Sequence, residues 1–112
     1  MQSSLRWIVL MSVMLFAAAV APAQTSGTWS VNDSDHVDIL AANVSADCTY
    51  RVAVNSGQGE VEVIIRNQNG DKVPESSRAV EAGDSSDFDL EQGWSIEVKY
   101  KTASSTGTYL RL

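Results

Sequence analysis

The chain has 112 residues, of which 44% are hydrophobic, and its 14 acidic residues against eight basic ones give a formal net charge of −6. This length is enough for one small domain with a modest core. The acidic excess argues against nucleic acid and anionic membrane surfaces as partners, because binding to either depends on clustered Lys and Arg. Basic or neutral protein surfaces, sugars and divalent cations stay open.

Residues 1–23 have the pattern of a secretory signal peptide. Arg6 precedes an uncharged apolar run over residues 7–20, and the Ala-Pro-Ala of residues 21–23 matches an A-x-A cleavage signal. The run is shorter than the roughly 20 apolar residues of a membrane-spanning helix, although a retained N-terminal anchor is the alternative. We therefore expect residues 24–112 to be secreted or periplasmic, with no membrane span after the leader is removed. Cleavage removes Arg6 and leaves a formal charge of −7 from seven basic and 14 acidic residues.

The mature chain is predicted to fold as a single all-β domain. Its apolar residues alternate with polar ones, as in strands that bury one face, and no stretch has sustained helical periodicity. The alternation is strongest over residues 48–54, 60–66 and 94–101. Weaker strands are predicted at residues 28–31, 36–40, 78–81, 86–90 and 108–112. Seven or eight short strands separated by Gly- and Asn-containing turns indicate a small antiparallel β-sandwich, jelly-roll or Ig-like, or a small barrel.

The same alternation assigns side chains to faces. It directs Cys48 into the core and Glu97 into water. Ile64 is the one large aliphatic residue of a strong strand that it directs outward, and an exposed Ile64 would mark a contact surface if it joined Trp29 or Tyr109 in one patch.

No catalytic residue is predicted. Cys48 is the only cysteine, so no intramolecular disulfide can form. Its inward position favours a buried, unreactive thiol, with an intermolecular disulfide as the alternative. His36, the only histidine, is predicted to face outward, which argues against a Cys–His pair. The chain also has no Gly-x-Ser-x-Gly nucleophile elbow, and we expect no enzyme activity.

Asp33, Asp35 and Asp38 form the densest group of oxygen ligands near the N-terminal end of the mature chain. Calcium takes six to eight oxygen ligands in proteins, so these three aspartates are the candidate metal ligands and calcium is the candidate ion. Their spacing does not match an EF-hand loop. A solvated acidic turn is the simpler interpretation, and no other cofactor is predicted.

Several short strand and turn segments of the mature chain follow one another in the order that a known group of domains has. Residues 33–38 read Asp-Ser-Asp-His-Val-Asp, a strand ends before Gly57, and an Asn-Gly turn lies at residues 69–70. Residues 93–98 read Gly-Trp-Ser-Ile-Glu-Val, and residues 107–112 close with Gly-Thr-Tyr-Leu-Arg-Leu. This order resembles the bacterial pre-peptidase C-terminal domains, jelly-roll binding modules of secreted enzymes. The resemblance implies a β-sandwich with a binding role and assigns no functional residue. Those domains are usually attached to a larger catalytic chain. The 112 residues of this sequence contain no such catalytic part.

Two functions compete. The first is an exported, non-catalytic binding module for a carbohydrate, protein or matrix surface, with a cation as candidate stabiliser. The alternative is a periplasmic inhibitor of a basic secreted hydrolase such as a lysozyme or protease, steered by the acidic surface, with the loop of residues 102–108 entering the enzyme's cleft. A structural subunit that pairs through an open sheet edge ranks third, because Lys99, Lys101 and Arg111 are expected to blunt the edges.

Overall fold

The computed structural model describes residues 26–112, and the predicted signal peptide, residues 1–23, lies outside the described residues. The eight strands are β1 (Ser26–Val31), β2 (Val37–Ala41), β3 (Cys48–Val54), β4 (Val61–Arg66), β5 (Arg78–Val80), β6 (Ser85–Leu90), β7 (Ser95–Tyr100) and β8 (Ser105–Arg111). Every predicted strand is present. Within the described residues, a 3-10 turn at Pro74–Ser76 was not predicted. No helix within these residues is long and apolar enough to cross a membrane.

The strands form two four-stranded antiparallel sheets, ordered β1-β8-β3-β6 and β2-β7-β4-β5. The predicted all-β antiparallel sandwich is confirmed. The three strands with the strongest alternation, β3, β4 and β7, all lie inside a sheet, whereas β1, β2, β5 and β6 are edge strands. An interior strand is held on both sides and packs one whole face into the core, so its pattern is the most regular.

The core lies between the two sheets and is built from the inward residues of each strand. Fully buried side chains include Tyr50, Phe88, Ile65 and Ile96. The half-buried Cys48, Trp94 and Tyr100 pack against its margin. Burying one such aliphatic or aromatic side chain contributes roughly 1.5–3 kcal/mol to the free energy of folding. Because Cys48 is a free thiol, the stability of the domain depends on this core and not on a disulfide.

Two outward-facing residues of the second sheet are also buried, which makes the predictions of an exposed Ile64 and a solvated Glu97 wrong. Ile64 is 4% exposed and Glu97 is 9% exposed. They lie opposite each other in the β4–β7 ladder, and the Glu97 carboxylate accepts a hydrogen bond from Arg66 Nε at 3.2 Å. Neighbouring side chains therefore cover this part of the outer face.

The turn of residues 91–94 is tied to the loop of residues 42–47 at one end of the sandwich. The Val44 N–H donates to the Trp94 carbonyl (3.0 Å), and the Gly93 N–H donates to the Val44 carbonyl (2.8 Å). This reciprocal pair fixes the start of β7 against the start of β3 and so positions Trp94.

Candidate functional site

The three predicted metal ligands lie at the β1–β2 connection, and two of their carboxylates are used locally. Asp33 Oδ1 accepts the N–H of Asp35 at 3.1 Å, as in a tight Asx turn. Asp38 Oδ2 accepts the N–H of Ser30 at 3.0 Å. Among residues 26–112, no three His, Cys, Asp or Glu side chains come together as a metal-holding group. The calcium site stays a prediction.

Asp38 protects the edge of β1. Asn55 N–H donates to Thr106 O, so the backbone groups of Thr106 point towards β3. Ser30, which lies opposite Thr106 in β1, is therefore in a non-hydrogen-bonded pair. Trp29 then lies in a hydrogen-bonded pair with Gly107, and the backbone of Ser30 points away from β8. The Asp38 carboxylate occupies that outward N–H, so a carboxylate stands where an added strand would bond.

The edge formed by β5 and β6 is protected in a different way. β5 has only three residues and follows the Pro74–Ser76 turn. Arg78 reaches from β5 across to β6, where its Nη2 donates to the Asp87 carbonyl. Its guanidinium carbon lies 4.3 Å from the centre of the Phe88 ring. Short strands and charged side chains are common protections against strand addition.

The backbone of β2 is free at its outer edge from Val37 to Ile39, and the register with β7 shifts between Ile39 and Ala41. Tyr100 N–H donates to His36 O at 3.3 Å, and Val37 lies opposite Lys99. This register puts Val37 and Ile39 in non-hydrogen-bonded pairs, so their own N–H and C=O groups point away from β7. Among residues 26–112, no side chain or loop makes a hydrogen bond to these outward groups.

Apart from Asp38, whose carboxylate accepts the Ser30 N–H, the side chains along this edge are apolar. Val37 is 36% exposed and Ile39 is 61% exposed, the highest value among the exposed large hydrophobic residues of the described chain. Both stand on the outer face of the second sheet, where Ile39 lies opposite Glu97. We call the strand Val37–Ala41, with its outward backbone groups, the β2 edge.

Lys99 and Arg111 do not lie at sheet edges, contrary to the prediction. They belong to β7 and β8, and both strands are interior. Lys101 follows β7 in a turn, where its Nζ lies 3.4 Å from Glu60 Oε2. None of these three charges therefore blunts an edge strand, which removes the objection to assembly through an edge.

The loop that the inhibitor hypothesis requires is shorter than predicted. β8 begins at Ser105, so only residues 101–104 form the connection. Gly59 N–H donates to Ser104 O at 3.3 Å, and the Ser104 hydroxyl donates to Asn32 O at 3.0 Å. Ser105 is 1% exposed. The four residues of this connection are exposed, but they are tied to neighbouring loops and β8 takes up the rest of residues 102–108.

A groove with a volume of about 410 Å³ opens at the end of the sandwich where β3 and β7 begin and β6 ends. It was not predicted from the sequence. Leu90, which is 2% exposed, and the half-buried Trp94 and Cys48 supply its apolar wall. We call it the Trp94 groove. Its lining residues are Asp47, Cys48, Thr49, Ser76, Asp89, Leu90, Glu91 and Trp94.

The polar groups of the Trp94 groove are held by hydrogen bonds. Asp47 Oδ1 accepts the N–H of Gln92 at 2.8 Å. Asp89 Oδ1 accepts the hydroxyl of Thr49 at 2.7 Å. Each of these carboxylates keeps its second oxygen for another partner. The groove is thus a preorganised wall with acceptors on its rim.

Cys48 lies at the margin of the core and is half-buried. Burial raises the pKa of its thiol, the Arg111 charge partly offsets that rise, and Asp47 adds to it. The neutral thiol is therefore the stable form, as the inward position in the sequence pattern predicts, and little thiolate is present at neutral pH.

We expect Cys48 in the folded protein to react with a disulfide reagent more slowly at neutral pH than in the urea-unfolded chain. Each unit by which a pKa is raised lowers the thiolate fraction about tenfold. The rate should rise with pH and reach its midpoint above the usual pKa of cysteine. Stopped-flow measurement across alkaline pH tests this, with the unfolded chain as control. A midpoint below that of the unfolded chain would contradict the burial effect.

No known family model matches the chain, and no curated protein matches it. A solved structure does, from work described as "Bacillus endospore appendages form a novel family of disulfide-linked pili". The match has a TM-score of 0.57 and 20% sequence identity, and it covers 85% of this chain and 92% of that chain. The two chains share a fold. The resemblance to pre-peptidase C-terminal domains stays a prediction.

Proposed function

We propose that this chain is a small, non-catalytic structural module outside the cytoplasm that associates with a second copy of itself through the β2 edge. The observation that carries the proposal is the contrast among the four edge strands. Asp38 protects β1, and Arg78 with the short β5 protects the opposite side, whereas β2 presents free backbone groups beside Val37 and Ile39. The signal-peptide pattern and the fold shared with an appendage protein support the extracellular role.

The protected edges determine the geometry of association. Because the other edges are blocked, the best partner for a β2 edge is the β2 edge of another copy. Two identical strands that pair antiparallel are related by a two-fold axis. The sheet that contains β2 has four strands in each copy, and pairing of the two β2 edges would join these two sheets into one sheet of eight strands. Burial of Val37 and Ile39 against their counterparts would add apolar contact to the backbone hydrogen bonds.

Cysteine content limits the covalent part of any assembly. The pilus protein of similar fold is described as disulfide-linked. This chain has a single cysteine, Cys48, so each copy can make only one disulfide. A series of copies joined only by disulfides cannot extend beyond two. The β2 edge holds no cysteine, so the association proposed there is non-covalent.

We expect the wild-type protein to form a reversible dimer, and Ile39→Lys to weaken it about tenfold or more, equivalent to 1.4 kcal/mol or more. A lysine on an edge strand opposes strand addition by its charge and hydration. Sedimentation velocity over a concentration series measures the dissociation constant.

Leu110→Lys is the matched control. Leu110 is 45% exposed and belongs to the interior strand β8, so the same substitution there should leave the dimer unchanged. A wild-type protein that stays monomeric at high concentration would overturn the proposal. Equal weakening by both substitutions would also overturn it, since a general charge effect would then explain the result.

A binding-module role is the second candidate, and the Trp94 groove is the observation that favours it. The groove is formed partly by β6, and β6 and β2 lie on opposite sides of the sandwich. Association through the β2 edge would leave the groove open, so the two roles are compatible.

A further inference from the structure

We propose that the Trp94 groove binds an arginine side chain of an extended basic peptide segment. The groove's volume of about 410 Å³ falls within the usual range of ligand pockets, roughly 300–1,000 Å³. It is large enough to take one long side chain together with the adjoining backbone. The proposal is independent of association through the β2 edge.

The rim of the groove carries three negative charges without basic partners. The ion pairs among residues 26–112 use the carboxylates of Glu60, Glu62, Asp87 and Glu97. Asp47, Asp89 and Glu91 take part in none of these pairs, and no basic residue lines the groove. Three uncompensated carboxylates around one concave surface favour a cationic ligand.

Arg111 is the basic residue whose charge reaches the wall of the groove. Its charge acts on the Cys48 thiol, but Arg111 belongs to β8 and does not line the groove. It therefore leaves the rim carboxylates free for a partner's cation.

The aromatic wall selects among cations. Trp94 Nε1 already donates to Gln68 Oε1 at 3.2 Å, so the indole has no donor left for a ligand. Contact with a ligand must then use the ring carbons. A guanidinium group is planar, weakly hydrated and able to stack on indole while its N–H groups reach carboxylates. An ammonium is more strongly hydrated and makes no such planar contact.

The geometry of the acceptors also suits a guanidinium. Asp47 and Asp89 each have one carboxylate oxygen fixed by a hydrogen bond within the fold, to Gln92 N–H and to the Thr49 hydroxyl. Their remaining oxygens are held in place before any ligand arrives, so less conformational entropy is lost on binding. A neutral sugar would also contact the indole, but it would gain nothing from the net charge of the rim.

Calorimetric titration of the purified protein tests the proposal with three probes. These are a capped Gly-Arg-Gly-Arg-Gly peptide, the same peptide with citrulline in place of arginine, and a cellulose-derived hexasaccharide. Citrulline keeps the shape of arginine without its charge. We expect the arginine peptide to bind, the citrulline peptide to bind at least about tenfold more weakly, and added salt to weaken the arginine complex.

Glu91→Gln tests the site within the protein. Glu91 is exposed and makes no side-chain hydrogen bond among the described residues, so its amide variant should fold normally. We expect it to weaken the arginine peptide about two- to fivefold, the usual range for an exposed ion pair. Glu81→Gln is the matched control because Glu81 is exposed and lies next to β5, outside the groove.

The proposal fails if the citrulline peptide binds as tightly as the arginine peptide. It also fails if only the hexasaccharide binds, which would make the groove a sugar site, or if no probe binds at millimolar concentration. Equal effects of Glu91→Gln and Glu81→Gln would show that net charge, and not the groove, attracts the peptide. Each of these results leaves the test of the β2 edge unaffected.

Discussion

Replacement of Trp29 by alanine is expected to lower the free energy of unfolding by about 3–5 kcal/mol. Trp29 is 2% exposed, and its indole N–H donates to the Thr108 carbonyl at 3.2 Å. Truncation removes the buried ring, leaves a cavity between the sheets and deletes this hydrogen bond. At 0.05–0.15 kcal/mol per residue, the whole domain has a stability of roughly 4–13 kcal/mol, so the loss is a large share of the total.

Urea unfolding followed by far-ultraviolet circular dichroism measures this loss. Ile39→Ala is the control, because Ile39 is 61% exposed in the next strand of the chain. At protein concentrations low enough to keep the chain monomeric, that change should cost no more than about 0.5 kcal/mol. A loss of less than about 1 kcal/mol for Trp29→Ala would show that the ring is not an element of the core.

Gly107 packs against the Trp29 ring. A Cβ built at Gly107 would overlap the Trp29 ring, with Cε2 2.7 Å away, and the Ala53 carbonyl. Glycine is required here by close packing, and Gly107→Ala should cost about 1–3 kcal/mol as an overpacked variant. The overlap with the Ala53 carbonyl remains in a Trp29→Leu background, so only the share of the cost that comes from the ring should disappear there. Strictly additive costs would contradict the direct contact.

The sequence pattern predicts the strands because the fold buries one face of each. Tyr50 and Ile96 stand at positions that alternate with polar residues, and the structure buries both completely. The pattern is weaker at the edges, where β1 and β6 carry more serines, threonines and aspartates. The alternation of apolar and polar residues shows only on which face of a sheet a residue lies.

Glu97 and Ile64 show where that information ends. Alternation correctly puts both on the outer face, but it does not describe the other side chains there. Arg66 bonds to Glu97, and Ile64 lies opposite Glu97 in the next strand. Burial on the outer face depends on these cross-strand neighbours, which the local sequence does not identify.

Strand order is also outside the reach of the local pattern. The prediction is that Lys99 and Arg111 blunt edges near the C-terminus, yet β7 lies between β2 and β4, and β8 lies between β1 and β3. Order in a sandwich is determined by packing between distant segments. The β2 edge became visible only when the strand register was known.

The Trp94 groove could not be found from the sequence for a related reason. Asp47 precedes β3, Asp89 belongs to β6, and Trp94 precedes β7. The Gln92 N–H that holds Asp47 is 45 residues away along the chain. Each residue alone has the character of an ordinary turn or surface position, and only the pairing of β3 with β6 brings them together.

Replacement of Tyr50 by phenylalanine is expected to raise the free energy of unfolding by about 1–2 kcal/mol. Tyr50 is fully buried, and its hydroxyl has no hydrogen-bond partner among the described residues. An unpaired buried hydroxyl loses its hydration on folding and gains nothing in return. Phenylalanine keeps the ring and its tilted contact with Tyr109, whose ring centre lies 6.2 Å away.

Tyr100→Phe is the control, because the Tyr100 ring is only half-buried and loss of its hydroxyl should change stability by no more than about 0.5 kcal/mol. Alkaline unfolding adds a second measurement. Burial raises the pKa of Tyr50, with a smaller contribution from Cys48. The folded state therefore disfavours the tyrosinate, and stability falls as pH rises from the unfolded-state pKa of tyrosine towards the folded-state value.

Phenylalanine cannot ionise, so the Tyr50→Phe protein should unfold at a higher pH than the wild type. A variant that is less stable at neutral pH would mean that the Tyr50 hydroxyl is hydrogen-bonded in solution. If the Tyr50→Phe protein is less stable and its alkaline unfolding midpoint equals that of the wild type, the Tyr50 hydroxyl is also in contact with water in the folded protein. A gain in both measurements would identify Tyr50 as a polar group that the core accommodates at a cost.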